Sequence, residues 1–120
     1  MKTVFLATPH KLGNLNHELI ERIKRMGFSV LCAVTHSPQD APLEKMFKTN
    51  VNMIKKSDIF IAVLKDYGKD LTAEVGMVYA WDKPRIGIDF NAKKEDVMCY
   101  FALDEVIKPE DLEKTLARFK

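Results

Sequence analysis

The sequence has few of the residues that cross-link a small fold or hold a structural metal, with 2 cysteines and 3 histidines in 120 residues. Cys32 and Cys99 lack metal-ligand spacing and stand among apolar residues, so we expect two buried thiols in a reducing compartment rather than a disulfide or a metal site. A chain of this length buries roughly two thirds of its unfolded surface, so it needs neither a disulfide nor a metal ion in order to fold.

Long apolar runs and blocks of like charge are also missing. No apolar stretch approaches the ~18 residues that cross a bilayer, and Pro9 follows too soon after Met1–Ala7 for a signal peptide. The net charge of +2 comes from scattered residues, so the charge pattern indicates neither a nucleic acid polymer nor a membrane as partner. We expect a single cytoplasmic domain over residues 1–120 that acts on a small molecule.

What is present is a regular alternation of strand and helix patterns. Strands are predicted at 3–7, 28–34, 58–64, 85–90 and 101–106, and helices begin near Leu15, Pro42, Leu71, Lys93 and Pro109. This alternation predicts an α/β fold, a doubly wound three-layer sandwich with a five-stranded parallel sheet in the flavodoxin-like order 2-1-3-4-5. Such sheets bind ligands outside the carboxyl ends of the strands where the order reverses, here after strands 1 and 3.

Two helices also carry predictions about packing. The helical period gives the second helix an apolar face, and the end of the third helix carries two large aromatic residues that we expect in the core or in a subunit interface. The apolar face consists of Leu43, Met46, Phe47 and Ile54, and the aromatic residues are Tyr79 and Trp81.

Glu74 is the first candidate for chemistry, because it follows the central strand closely and is predicted in the first turn of the third helix. The free N–H groups of that turn favour an ionised carboxylate, which is suited to attack on an anomeric carbon; alternatively, Glu74 only satisfies the helix terminus. Asn50 shares the spacing of the second helix's apolar stripe, so its amide needs a buried partner. That partner is either a ligand or a loop backbone.

Three segments resemble nucleoside 2-deoxyribosyltransferases and the related deoxynucleoside-monophosphate N-glycosidases. The family has a strand opened by alanine-aspartate, a glutamate-x-glycine-x-alanine helix ending in lysine-proline, and a first strand reading isoleucine-tyrosine-leucine-alanine-glycine-proline. The matching segments are SDIFIAV at 57–63, DLTAEVGMVYA at 70–80 followed by Lys83-Pro84, and VFLATP at 4–9. Asp96-Val97-Met98 is similar to a late asparagine-x-methionine element.

This resemblance implies cleavage or transfer at the N-glycosidic bond of a 2′-deoxynucleoside or its 5′-monophosphate, with Glu74 as the nucleophile of a covalent intermediate. It also implies a homodimer or larger homo-oligomer, in which Met98 reaches a neighbouring subunit's site. Asn50 lies eight residues before Asp58, where the family has a helper aspartate, and Phe5 replaces the family's tyrosine. An amide cannot exchange a proton as a carboxyl group does.

The two predicted site loops supply the remaining candidates. Asp66 and Asp70 flank Gly68, and one of them is a candidate to bind sugar hydroxyls or to protonate the leaving base; the alternative is a solvated turn with Asp70 or Thr72 capping the helix. The first loop is neither a dinucleotide-binding nor a Walker loop, so no cofactor is expected. Its candidates to hold a 5′-phosphate or substrate are Thr8, Pro9, His10 and Lys11.

Two further functions stay open at this point. The first is a non-catalytic nucleoside- or nucleotide-binding module of the same fold that has lost its helper acid. The second is a phospho-receiver domain, because Asp66 ends the third strand, where receivers carry their acceptor. Receivers also need an acidic pair after strand 1 to hold Mg²⁺, and this chain has Thr8-Pro9-His10 there.

Overall fold

The computed structural model describes residues 1–36 and 40–120. A parallel sheet of five strands has helices on both faces, in the strand order β2-β1-β3-β4-β5. The strands are β1 Thr3–Ala7, β2 Ser29–Leu31, β3 Ile59–Leu64, β4 Arg85–Asp89 and β5 Glu105–Ile107. The helices are α1 Asn14–Arg25, α2 Ala33–His36, α3 Leu43–Lys56, α4 Lys69–Ala80, α5 Val97–Tyr100 and α6 Leu112–Leu116. The predicted fold class and strand order are confirmed.

The central strands are apolar throughout because both of their faces are covered. β3 is buried along its whole length, and alternate residues of each strand enter two separate cores. Val4 and Leu6 of β1 pack in the core that α1 and α6 cover, whereas Phe5 and Ala7 pack in the core that α3 and α4 cover. The parity of β1 therefore places Phe5 on the α3/α4 side of the sheet.

The α3/α4 side is tightly packed near its centre. The rings of Phe5 and Phe60 stack with centroids 5.8 Å apart, and burial of each such side chain contributes roughly 1.5–3 kcal/mol. At Gly87 of β4, an added Cβ would lie 2.7 Å from Leu103 Cδ1 and 2.9 Å from Leu64 Cδ1. An alanine at this position would therefore force the ends of these two leucine side chains to shift.

The second strand is shorter than predicted. The predicted strand at 28–34 ends at Leu31, and residues 33–36 form the helical turn α2. The carbonyl of Cys32 accepts hydrogen bonds from the backbone N–H groups of Thr35 and His36, at 3.1 and 2.8 Å. Among the described strands β2 pairs with β1 alone, up to Leu31, so no second described strand holds the chain extended beyond that point. The sequence of residues 35–41 predicts a polar loop; residues 35 and 36 belong to α2, and residues 37–39 lie outside the described residues.

The apolar face of α3 is covered only in part, contrary to expectation. Ile54 is buried as predicted, but Leu43 is 81% exposed and Phe47 is 57% exposed. Tyr79 and Trp81 are also exposed, so they are not in the core of the chain, and their place in a subunit interface stays a prediction. The Tyr79 ring lies beside the Arg85 guanidinium, and the Trp81 ring lies beside the Lys55 ammonium. Such cation–π contacts let long side chains pack on aromatic rings at a partly solvated surface.

Cys32 and Cys99 are buried free thiols, as predicted. None of the described helices is long and apolar enough to cross a membrane.

Candidate active site

A cavity of about 410 Å³ opens at the carboxyl ends of β1 and β3, where the order of the strands reverses. Its walls are formed by β1, the loop after β1, α3 and the start of α4. The lining residues include eight predicted site residues, Phe5, Thr8, Pro9, His10, Asn50, Gly68, Asp70 and Glu74, together with Leu6, Ala7, Ala33, Lys69 and Leu71. The fold thus brings together residues that lie up to 69 positions apart in the sequence.

Glu74 lies on the cavity wall, where its side chain is only partly exposed. Burial, with a smaller contribution from the negative charge of Asp70, raises the pKa of Glu74 to about 7. The position within the helix differs from the prediction: α4 begins at Lys69, so Glu74 lies in the second turn, beyond the free N–H groups of the first. The helix terminus therefore does not hold Glu74 ionised, and the carboxyl group titrates near neutral pH.

Asp70 occupies the first turn of α4, one helical turn before Glu74. The predicted capping by Asp70 or Thr72 is wrong: Gly68 is the residue that caps α4, without any side-chain hydrogen bond. The hydroxyl of Thr72 instead donates to the carbonyl oxygen of Lys69 at 2.7 Å. Asp70 is exposed and lines the cavity, which leaves its carboxyl group able to face a ligand.

Asn50 reaches the cavity from α3, and its Oδ1 is buried without a hydrogen-bond partner among the described residues. A buried acceptor in this condition costs about 1–3 kcal/mol. Asn50 also lines a second cavity of about 360 Å³ between α3 and α4, which Asp70 and Glu74 border as well. Asn50 thus borders both of the cavities that Glu74 borders.

The loop after β1 is held by a residue that the sequence reasoning missed. Asn16 is 1% exposed; its Oδ1 accepts from the hydroxyl of Thr8 at 2.5 Å, and its Nδ2 donates to the carbonyl oxygen of Pro9 at 2.9 Å. These bonds fix the part of the loop that lines the cavity. The helical period could have indicated this residue: Asn16 lies three residues before Leu19 and four before Ile20, and so on the buried face of α1.

Three predicted substrate-binding residues lie outside this cavity, and their roles stay predictions. Lys11 follows His10 in a short 3-10 turn and is exposed. Asp66 is held by Asn91 through hydrogen bonds. Met98 is 85% exposed and lines a neighbouring cleft of about 490 Å³, which shares Gly68 with the candidate active site.

The Lys83-Pro84 pair lies at the opposite, amino-terminal edge of the sheet. Lys83 Nζ donates to the carbonyl oxygens of Lys55 and Ser57, where α3 ends. Asp58 Oδ2 accepts from the N–H of Thr3 at 2.8 Å at this same edge. Both residues stabilise the scaffold and lie away from the cavity.

The described residues bring together no cluster of three or more His, Cys, Asp or Glu side chains that could hold a metal ion.

The model of the nucleoside 2-deoxyribosyltransferase family matches residues 4–112. The chain belongs to this family. The match includes every residue of the cavity wall. None of the curated proteins matches the chain.

Solved structures share the fold at low sequence identity. A 2-deoxyribosyltransferase from Bacillus psychrosaccharolyticus superposes with a TM-score of 0.78 at 19% identity, over 92% of this chain and 90% of that one. A CMP N-glycosidase from Clostridium botulinum gives 0.68 at 20% identity, over 99% and 100% of the two chains. A response regulator from Thermotoga maritima gives 0.72 at 15% identity over the full length of both. At these identities the likeness is one of fold, and it includes the receiver-type fold.

Proposed function

We propose that this protein cleaves or transfers at the N-glycosidic bond of a 2′-deoxynucleoside or its 5′-monophosphate, through a covalent intermediate on Glu74. The observation that carries the proposal is the position of Glu74, a partly buried carboxyl group on the wall of a cavity at the reversal point of the sheet. Membership of the nucleoside 2-deoxyribosyltransferase family supports the same reaction class.

The proposed first step forms one bond and breaks another. A carboxylate oxygen of ionised Glu74 bonds to the anomeric carbon while the carbon–nitrogen bond to the base breaks, and the electron pair passes to the base nitrogen, which takes up a proton. The base takes its proton from solvent, and Asp70, which lies one turn away on the same wall and bears a negative charge there, is the candidate to bind the sugar hydroxyls. Water or a second base then attacks the anomeric carbon and releases the Glu74 carboxylate, with retention of configuration.

The lining of the cavity offers polar groups from two elements, the loop after β1 and the start of α4. Thr8, Pro9 and His10 lie at the β1 end of the cavity, whereas Asp70 and Glu74 lie at the α4 end. Its volume of about 410 Å³ is within the range of about 300–1,000 Å³ that is typical of small-molecule sites. The bonds from Asn16 hold the β1 end before a ligand arrives, which lowers the ordering cost of binding.

A panel of 2′-deoxynucleosides and their 5′-monophosphates, assayed by chromatography for free base with and without an acceptor base, tests the proposal. Wild-type protein should release base, Glu74→Gln should not, and mass spectrometry should detect a deoxyribosyl adduct that the Gln variant lacks. Full turnover by Glu74→Gln, or no base release from any substrate, would overturn the proposal.

Asn50 motivates a second candidate, a binding module of the same fold without turnover. The family's helper carboxyl is replaced here by an amide whose buried oxygen lacks a partner among the described residues. Such an oxygen can accept a hydrogen bond from a ligand but cannot transfer a proton. Calorimetry with the same panel separates the two candidates, because the module binds a nucleoside or nucleotide that it leaves intact.

A further inference from the structure

The loop from β3 to α4 carries Gly68 and Asp70 to the cavity, and the chain that follows β4 holds this loop. The β3–β4 ladder ends at the pair Leu64 and Asp89. Beyond that pair, the carbonyl oxygen of Leu64 accepts from the N–H of Phe90 at 3.2 Å and from the N–H of Asn91 at 3.0 Å. These bonds place the Asn91 side chain beside the first residues of the loop.

Asn91 then forms a reciprocal pair of hydrogen bonds with Asp66. Its Oδ1 accepts from the N–H of Asp66 at 3.0 Å, and its Nδ2 donates to Asp66 Oδ1 at 2.7 Å. The bond from the Asn91 amide is the largest cause that lowers the pKa of the Asp66 carboxyl, so the acceptor is ionised at neutral pH. Asn91 thus contacts Asp66 through both its acceptor and its donor.

Asp66 needs such support because its backbone is in the left-handed region, with φ +48°. Residues other than glycine adopt this conformation at a cost and keep it where the surroundings hold them. The left-handed residue turns the chain from the direction of β3 toward α4, and Gly68, two residues later, caps the helix. The start of α4 is therefore fixed relative to a conformation that Asn91 holds.

We propose that Asn91 is a positioning residue for the candidate active site, holding the turn at Asp66 so that α4 presents Asp70 and Glu74 to the cavity. This inference rests on the proposed function. Neither Asn91 nor Asp66 lines the cavity, so the pair acts on the cavity through the loop. A second tie lies beside the first, where Tyr67 Oη donates to Asp96 Oδ2 at 2.9 Å.

The expected effect is on the rate of the chemical step rather than on the affinity for substrate. A nucleophile displaced by about 1 Å can lose up to about a hundredfold in rate, whereas Thr8, Pro9 and His10, on the other wall of the cavity, keep their own support from Asn16. Loss of the Asn91 side chain should therefore lower kcat more than it raises KM.

Three variants test this inference. Asn91→Ala removes both bonds to Asp66. The double variant Asp66→Asn with Asn91→Asp exchanges the amide and the carboxylate: the new carboxylate still accepts from the N–H of residue 66, and the side-chain donor and acceptor change places. Asn52→Ala is the matched control, an exposed asparagine of α3 that lies outside the cavity wall.

Kinetics on the best substrate of the base-release panel and amide hydrogen exchange give the readouts. In Asn91→Ala, kcat should fall by about tenfold or more with KM changed less than about threefold, and exchange should rise at residues 66–71 but not in α1. The swapped pair should restore both, and Asn52→Ala should change neither. Should Asn91→Ala unfold, the swapped pair decides: wild-type stability without recovered kcat would overturn the inference.

Wild-type kcat and wild-type exchange in Asn91→Ala would also overturn it. If wild-type protein releases no base from any substrate, the proposed function fails by itself. Hydrogen exchange then shows independently whether Asn91 holds the loop, since this readout needs no turnover.

Discussion

Asp70 and Glu74 lie one helical turn apart on α4, on the wall of the same cavity, and the charge of Asp70 adds to burial in raising the pKa of Glu74 to about 7. The proposed nucleophile is therefore about half ionised at neutral pH. The pair also combines two functions that the proposed reaction uses, attack on the sugar and recognition of its hydroxyl groups.

The first prediction concerns the dependence of the rate on pH. Since only ionised Glu74 can attack, kcat/KM should rise with pH up to a plateau above an apparent pKa of about 7. Asp70→Asn removes a negative charge and should move this rise to lower pH, by less than the whole shift because burial is the larger cause. Asp82→Asn, at the far end of α4, is the control and should leave the midpoint unchanged. An unmoved midpoint in Asp70→Asn would contradict the assigned interaction.

The second prediction concerns stability. The pKa of Glu74 in the folded chain, about 7, lies above its ordinary value of 4.5, so the folded state binds the proton more tightly than the unfolded state does. The stabilisation of the folded state by this proton is complete below pH 4.5 and is lost as the pH rises to about 7. Glu74→Gln should therefore raise the free energy of unfolding at pH 8 by about 1–3 kcal/mol and leave it nearly unchanged at pH 4.

Urea denaturation of both proteins at the two pH values measures this difference. Glu110→Gln, an exposed glutamate outside the cavity wall, is the control and should give the same difference at pH 4 and pH 8. A Glu74→Gln variant that is equally stable relative to wild type at both pH values would show that the carboxyl group is not desolvated.

The third prediction concerns the unpaired oxygen of Asn50. Asn50→Leu removes a buried acceptor without a described partner and fills similar space, so it should raise the free energy of unfolding by about 1–2 kcal/mol. The same change should weaken nucleotide binding, because the ligand loses a hydrogen-bond acceptor. Thermal melts and calorimetry measure the two effects, and lower stability with unchanged binding would assign Asn50 to the scaffold.

The fourth prediction concerns the helper carboxyl. Asn50→Asp together with Phe5→Tyr restores the two residues that the family pattern has at these positions, both on the cavity wall. If the wild-type protein turns over slowly because it lacks a proton donor, the kcat of the double variant should be higher by about tenfold or more, since general acid catalysis supplies rate increases of this size. Phe5→Tyr alone should not raise it, and a double variant no faster than wild type would show that protonation of the base does not limit the rate.

The fifth prediction compares two glycines. Gly87→Ala should cost about 1–3 kcal/mol, because the new methyl group would meet Leu103 and Leu64 at less than 3.0 Å. Gly76→Ala, on an exposed position of α4 where an added Cβ meets no atom within 4 Å among the described residues, should gain about 0.5–1 kcal/mol. Denaturant midpoints of the two variants check the opposite signs.

The fold could be predicted because strands that are buried on both faces appear in the sequence as continuous apolar runs. β1 has the predicted bounds, and β3 and β4 each differ from the prediction by one terminal residue. The errors lie at the edge and ends of the sheet. Among the described strands β2 has one neighbour and is shorter than predicted. β5 likewise pairs there with β4 alone, and it begins only at Glu105, after the helical turn at residues 97–100.

The candidate site could be predicted where one helical period or one strand end fixes a residue's direction. Glu74 and Asn50 follow from the faces of α4 and α3, and the residues after β1 follow from the reversal rule. The Asn91–Asp66 pair could not be predicted, because it joins two loops that are 25 residues apart through backbone conformation. The prediction for Leu43 and Phe47 of α3 was wrong because the helical period indicates which residues share a face but not whether a neighbouring element covers that face.

The positions of Lys83-Pro84 and Glu74 at opposite edges of the sheet have a consequence for how such chains are recognised. Lys83 donates hydrogen bonds to carbonyl oxygens at the carboxyl end of α3, whereas Glu74 borders the cavity. A homologue that exchanged the glutamate for an inert residue would retain the lysine-proline signature and the same architecture. Membership can therefore be read from one edge of the molecule, but competence for chemistry has to be judged from the other.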